Sequence, residues 1–266
     1  MSTNSHIKDA EKEIIEKRKK PVSTILVSQP EPQDKNSQYF RLAERYNIKF
    51  DFRPFIEVVP VDVKEFRQQK VNILNHTAVI FTSRHGVDFF FALCMKLKVE
   101  IPSTMKYFCI SEQMSHYLQK YITVRKRKTF NGIRTANELI EVLKNHPDEN
   151  FFHACSETSS KEIPEFLESN GYQHTNAIIH RTVASNLSDL TEVSYDIIAF
   201  FSPTDIKSLF SNFPDFKQKD TRIAGFGLST CNAIRDHGLT VDIEAPMPDA
   251  PSMTGAIELY IKSTRK

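Results

Sequence analysis

Two serines stand where an apolar run gives way to a helix pattern. "AVIFTSRHGVDFFF" runs from Ala78 to Phe91 and "FFSPTDIKSLF" from Phe200 to Phe210. In the first the run stops at Ser83, in the second at Ser202, and helical spacing begins at once. The first turn of a helix leaves N–H groups unpaired and carries the positive end of the helix dipole, so such a junction can hold an anion. Ser202 reads as an N-cap, Pro203 fits the first helical position and Asp205 falls at the third. Either serine alone can also be a cap and nothing more. Two of them in one chain point to two lobes facing one ligand.

The elements that must carry these serines follow a regular order. From "STILVSQPEP" onward, short β-branched or aromatic runs alternate with helical spacing, as in "DKNSQYFRLAERYN" and "NGIRTANELIEVLKNH". In the latter, Thr135 and Glu138 form T-x-x-E, a capping box before an apolar face. Strands alternating with helices predict an α/β fold with mostly parallel sheets.

The order of units also repeats. Ser83 and Ser202 end one pair of strands, Ser111 in "CISEQM" and Gly227 in "GFGLST" the next, and Thr135 and Ser252 open the third pair of helices. The expected organisation is a charged tail at 1–22, one lobe from 23–50 plus 186–266, a second at 61–175, and connector strands at 51–60 and 176–185. The first lobe is one unit short unless the strand ending at Ser28 joins it. Pro54 and Pro60 suit an extended connector better than a central strand.

Bulk properties narrow the function. The chain has 266 residues and a formal net charge of +2, so no strong field for nucleic acid or membrane is implied. No apolar run approaches bilayer length. "MSTNSHIKDAEKEIIEKRKK" has no apolar core of a signal peptide, and its loss is expected to leave folding unchanged. Cys94, Cys109, Cys155 and Cys231 include no C-x-x-C pair, which suits reduced thiols in a cytoplasmic protein, and no spacing suggests a metal site. "VRKRK", Val124 to Lys128, reads as a solvated surface segment.

The strand ends "FTS" and "FFSP", the later "GFGLST" before an Ala-x-x-x-x-Gly helix, and a proline-rich lead into the last helix resemble uroporphyrinogen-III synthases. The resemblance covers about Thr24 to Lys262, and the order of the motifs is its specific part. It implies two α/β lobes, one of them discontinuous, and cyclisation of linear hydroxymethylbilane with inversion of the last ring and loss of water; the two short crossings between the lobes are expected to act as a hinge. It implies no cofactor, a small-molecule linear tetrapyrrole as partner, no nucleic acid or membrane, and a cytoplasmic monomer. Carried over by position, it implies Ser28, Ser83, Arg84, Ser111, Ser202, Pro203, Gly227 and Ser229 as substrate-binding, with Thr230 and His180 as catalytic. His180 in "IIHRT" stands where the family often has a tyrosine as candidate acid, and an imidazolium can do the same work near neutral pH. Gln29 and Met114 also depart from the family's pattern. A non-catalytic two-lobe protein that binds a tetrapyrrole or another polycarboxylate is the alternative. A solute-binding protein fits less well, given the absent signal peptide.

Overall fold

The computed structural model describes residues 13–191 and 194–265. The first twelve residues of the expected tail therefore lie outside the described residues. By its internal contacts the chain divides into two compact units. One runs to Glu57 and resumes at Val183; the other is Val58–Thr182.

In chain order the elements are β1 (Thr24–Val27), α1 (Gln38–Tyr46), β2 (Lys49–Phe52), β3 (Ile56–Pro60), α2 (Val63–Gln68), β4 (Ala78–Phe81), α3 (Arg84–Leu97), β5 (Lys106–Cys109), α4 (Glu112–Tyr117) and β6 (Thr129–Asn131). They continue as α5 (Ala136–Leu143), β7 (Phe151–Ser156), α6 (Glu162–Ser169), β8 (His174–Ala184), β9 (Ile197–Phe200), α7 (Pro203–Asn212), β10 (Arg222–Phe226), α8 (Leu228–Asp236), β11 (Ile243–Ala245) and α9 (Met253–Thr264).

The discontinuous unit holds a five-stranded sheet in the order β11-β10-β9-β1-β2, parallel at every pairing. β1 joins it beside β9, which completes the short lobe. Strand alternation covers both faces: Ile25, Val27, Ile197 and Ala199 enter one apolar cluster, while Leu26, Ile198 and Phe200 enter another. Burial on both faces is what a parallel sheet requires. The continuous unit follows the same rule around a six-stranded sheet, β3-β8-β7-β4-β5-β6. There Val79 and Phe81 face one cluster and Ala78 and Ile80 the other.

The connectors differ from the expectation. The stretch 51–60 is two strands, not one. β2 lies parallel to β1 as an edge strand, with Leu26 opposite Asp51, and Arg53 N–H still donates to Val27 O at 3.0 Å. Pro54 then has no N–H to continue the ladder, and β3 starts afresh at Ile56. β8 is likewise more than a connector. From His174 to His180 it pairs in parallel with β7, with an irregularity at Cys155/Ser156. Only its far end turns to β3: Val61 N–H donates to Ile179 O and Ser185 N–H to Phe55 O, so positions rise on one strand as they fall on the other.

The tail is also revised. Residues 13–17 are helical, and beyond them the chain is tied to the discontinuous unit. Arg18 lies 3.5 Å from Asp242, whose side chain is 0% exposed. Lys20 pairs with Asp220 at 2.8 Å, Arg222 donates to Pro21 O, and Val22 is buried. Lost polar pairing around a buried carboxylate is costly, so the segment from Arg18 belongs to the fold.

Candidate functional site

The carboxyl ends of the strands deliver the predicted residues to helix starts, as open parallel sheets do. Whether a start can hold an anion depends on what already occupies it.

In the discontinuous unit, β9 runs into Ser202, which caps α7: its Oγ accepts Asp205 N–H at 3.3 Å. Asp205, only 3% exposed, closes the box from the other side. One carboxylate oxygen accepts Phe201 N–H and Ser202 N–H, both at 3.0 Å, and also the Ser28 hydroxyl at 2.8 Å. Pro203 at the first helical position has no N–H. Ser28, Ser202 and Pro203 are thus brought together, but around an internal carboxylate. Their donors are engaged, and the start already carries a negative charge. Ser28 is 3% exposed, and its hydroxyl is given to Asp205.

The neighbouring start is different. Gly227 turns the chain with φ 83°, where a side chain would be strained. α8 begins without a side-chain cap and without an acidic residue in its first turn. Helical geometry leaves the Leu228, Ser229 and Thr230 amides without partners inside the helix. Ser229 is exposed. Thr230, expected as a catalytic hydroxyl, is 1% exposed.

In the continuous unit, Ser83 caps α3 by accepting Gly86 N–H at 3.0 Å. Gly86 lets α3 pack closely on β7: a Cβ there would lie 3.2 Å from Ala154 O. The first turn of α3 has no acidic residue and presents Arg84 and His85 exposed. Arg84 lies over the Tyr117 ring at 5.3 Å. Tyr117 and Lys120 donate to Asp88, one turn along α3. Burial raises the Asp88 carboxyl, but hydrogen bonds from Tyr121, Tyr117 and Lys120 outweigh it and leave the group below its ordinary range. Ser111 caps α4 by accepting Met114 N–H at 3.3 Å, yet Glu112 occupies that first turn.

His180 reaches the start of α3 from β8. Its ring centroid is 6.4 Å from that of His85 and 5.8 Å from that of Phe89. The residue is 7% exposed, and its Nδ1 is buried without a hydrogen-bond partner. Burial, then the charge of His85, pushes its imidazole below the ordinary value of 6.5. Both effects oppose a charge on the ring. Arg181, beside it, pairs with Glu65. Ser83, Arg84 and His180 thus form one neighbourhood, and His85 is the member that sequence reasoning missed. Its signal was available: it follows the Ser83 cap by two positions, inside the first turn.

Other chemistries find little support. Burial pushes the Cys94 and Cys109 thiols up to about 12, which makes them poor nucleophiles. Among the described residues no cluster of His, Cys, Asp and Glu could hold a metal ion, and no helix is long and apolar enough to cross a membrane.

Residues 37–255 match the model of the family described as HEM4, uroporphyrinogen-III synthase HemD. The chain belongs to the uroporphyrinogen-III synthase family. It is 27% identical over 148 residues to the uroporphyrinogen-III synthase of Saccharomyces cerevisiae. That match covers 49% of this chain and 54% of the relative, so it spans about half the relative's length. The crystal structure of uroporphyrinogen-III synthetase from Helicobacter pylori shares the fold. It has a TM-score of 0.56 at 14% identity, covering 91% of this chain and 99% of that one.

Proposed function

We propose that this chain is a uroporphyrinogen-III synthase, closing linear hydroxymethylbilane into the type III macrocycle with inversion of the last ring and loss of water. One observation carries the reading. In a chain of this family, each parallel sheet delivers a helix start free of acidic residues at its carboxyl edge, α3 in one unit and α8 in the other. Each can take substrate carboxylates on backbone N–H groups without a large basic patch, which suits a formal net charge of only +2.

In this reading Ser83, Arg84 and the α3 amides hold carboxylates in one unit, and Gly227, Ser229 and the α8 amides do so in the other. Ser111 and Thr230 shape these edges, and Ser202 with Pro203 fixes the direction of α7. His180 supplies the proton for the departing hydroxyl. Holding a flexible polyanion in one folded conformation accounts for much of such catalysis. The enzyme acts as a cytoplasmic monomer, with no nucleic-acid partner and no added cofactor. The test is consumption of hydroxymethylbilane by the purified protein in the presence of a chelator. A rate well above spontaneous closure supports the reading; the spontaneous rate alone contradicts it.

A further inference from the structure

The start of α3 and the last β7-paired position of β8 bring two imidazoles together at an unfinished polar site. His85 is exposed at the second position of α3. His180 stands opposite Ser156 of β7, with its ring 6.4 Å from that of His85. Phe89, one turn further along α3, lies 5.8 Å from the same ring. His180 Nδ1 is buried and has no hydrogen-bond partner, although buried polar atoms are nearly always paired. The helix start beside it supplies backbone N–H groups and no carboxylate. The imidazole of His180 thus lies beside a helix start that carries no acid, with one nitrogen unpaired.

We propose that His180 enters the reaction uncharged and takes up a proton from solvent when a substrate carboxylate docks at the start of α3, so that the substrate itself arms the acid. The proposal rests on the synthase reading and adds to it the source of the proton. The rings of His85 and Phe89 from α3 lie near it, and Ser156 of β7 is its partner in the strand register. On β8 itself the nearest charge, Arg181, is paired with Glu65 of α2. Burial and His85 both oppose a charge on His180. A carboxylate within a few ångströms favours the charged form and offsets both effects.

The chemistry then balances. Imidazolium N–H gives its proton to the substrate hydroxyl. The C–O bond breaks, its electron pair leaves on oxygen, and water departs. The lone pair of the terminal pyrrole nitrogen replaces those electrons and leaves an azafulvenium cation. The substituted α-carbon of the last ring attacks that cation and gives a spiro intermediate. The older bond from this carbon to its bridging methylene then breaks to a second azafulvenium cation, and the unsubstituted α-carbon of the same ring bonds to that methylene and loses its proton to the neutral imidazole.

The experiment uses uroporphyrin III, a stable macrocyclic octacarboxylate, as the probe. Calorimetric titration of the whole protein at pH 7.5, in buffers of different ionisation heat, reads protons taken up per ligand bound. The wild type should take up about one proton, and the 15N imidazole signal of His180 should move to the protonated pattern. His180→Phe should bind the probe with that uptake lost. His180→Tyr, whose O–H needs no proton from solvent, should recover turnover about tenfold over His180→Phe without regaining uptake. Binding by the wild type without proton uptake, or no binding, overturns the proposal. If type III product still forms, the synthase reading survives that result. Uptake with no type III product overturns the reading and leaves the anion site standing.

Discussion

Asp205 determines what Ser28 and Ser202 can do. Its one oxygen gathers the Ser28 hydroxyl and two backbone N–H groups, so both serines answer to it before they can answer to a ligand. Ser28→Ala removes a buried hydrogen bond to a carboxylate. It should cost about 1–3 kcal/mol in urea denaturation, while KM for hydroxymethylbilane stays near the wild-type value. A KM raised tenfold with unchanged stability would return Ser28 to the substrate. The cap was legible in the sequence, because Ser-Pro-x-Asp states its own geometry. The Ser28 partnership was not, since it joins the ends of two strands that only the sheet order places side by side. The same holds for His85 and His180, which meet across β7.

Helix starts are sorted here by the acid they carry. α2, α4, α5, α6 and α7 hold Glu65, Glu112, Glu138, Glu162 and Asp205 in their first turns, whereas α1, α3, α8 and α9 hold none. Glu138 shows the consequence: backbone N–H groups of Thr135 and Arg134 hold it below its ordinary range, so that start is already satisfied. Ser229→Asp therefore separates stability from function. A carboxylate in the first turn of α8 should stabilise the helix by about 0.5 kcal/mol and raise KM at least severalfold by repelling the substrate. Thr204→Asp, on the self-satisfied α7, should leave KM alone. Equal KM for both variants would remove α8 from the binding site. A second prediction concerns the N-terminal segment. Arg18→Ala strips a charge partner from buried Asp242, whose carboxyl burial already raises. It should cost about 1–3 kcal/mol by denaturation, and no loss would show the segment to be a solvated tail after all. The alternation of strands and helices was readable from periodicity. The break between β2 and β3 was not, because β-branched and aromatic residues run through Pro54 on both sides. The docking of Arg18 was hidden as well: a run of charges looks solvated until a buried partner is known.

At the scale of the molecule, pH links burial to stability. His76, His146, His153 and His180 are all pushed below 6.5, chiefly by burial. The unfolded chain therefore binds more protons than the folded one between each folded value and 6.5. Their contribution is complete above about pH 6.5 and is lost as pH falls through the folded values. Asp242, raised by burial, acts in the opposite direction at lower pH. Thermal melts from pH 7.5 to 5.5 should show Tm falling, and a rising Tm would contradict the assignment. The two-unit order of the chain was legible because its strand-ending motifs recur in sequence. The central claim is that this order serves ring inversion. Its most direct measurement is the isomer composition of the macrocycle formed from freshly generated hydroxymethylbilane, oxidised to porphyrin and separated by chromatography. The account predicts predominantly type III, with the share rising as protein is added. Type I alone at every protein concentration would contradict it.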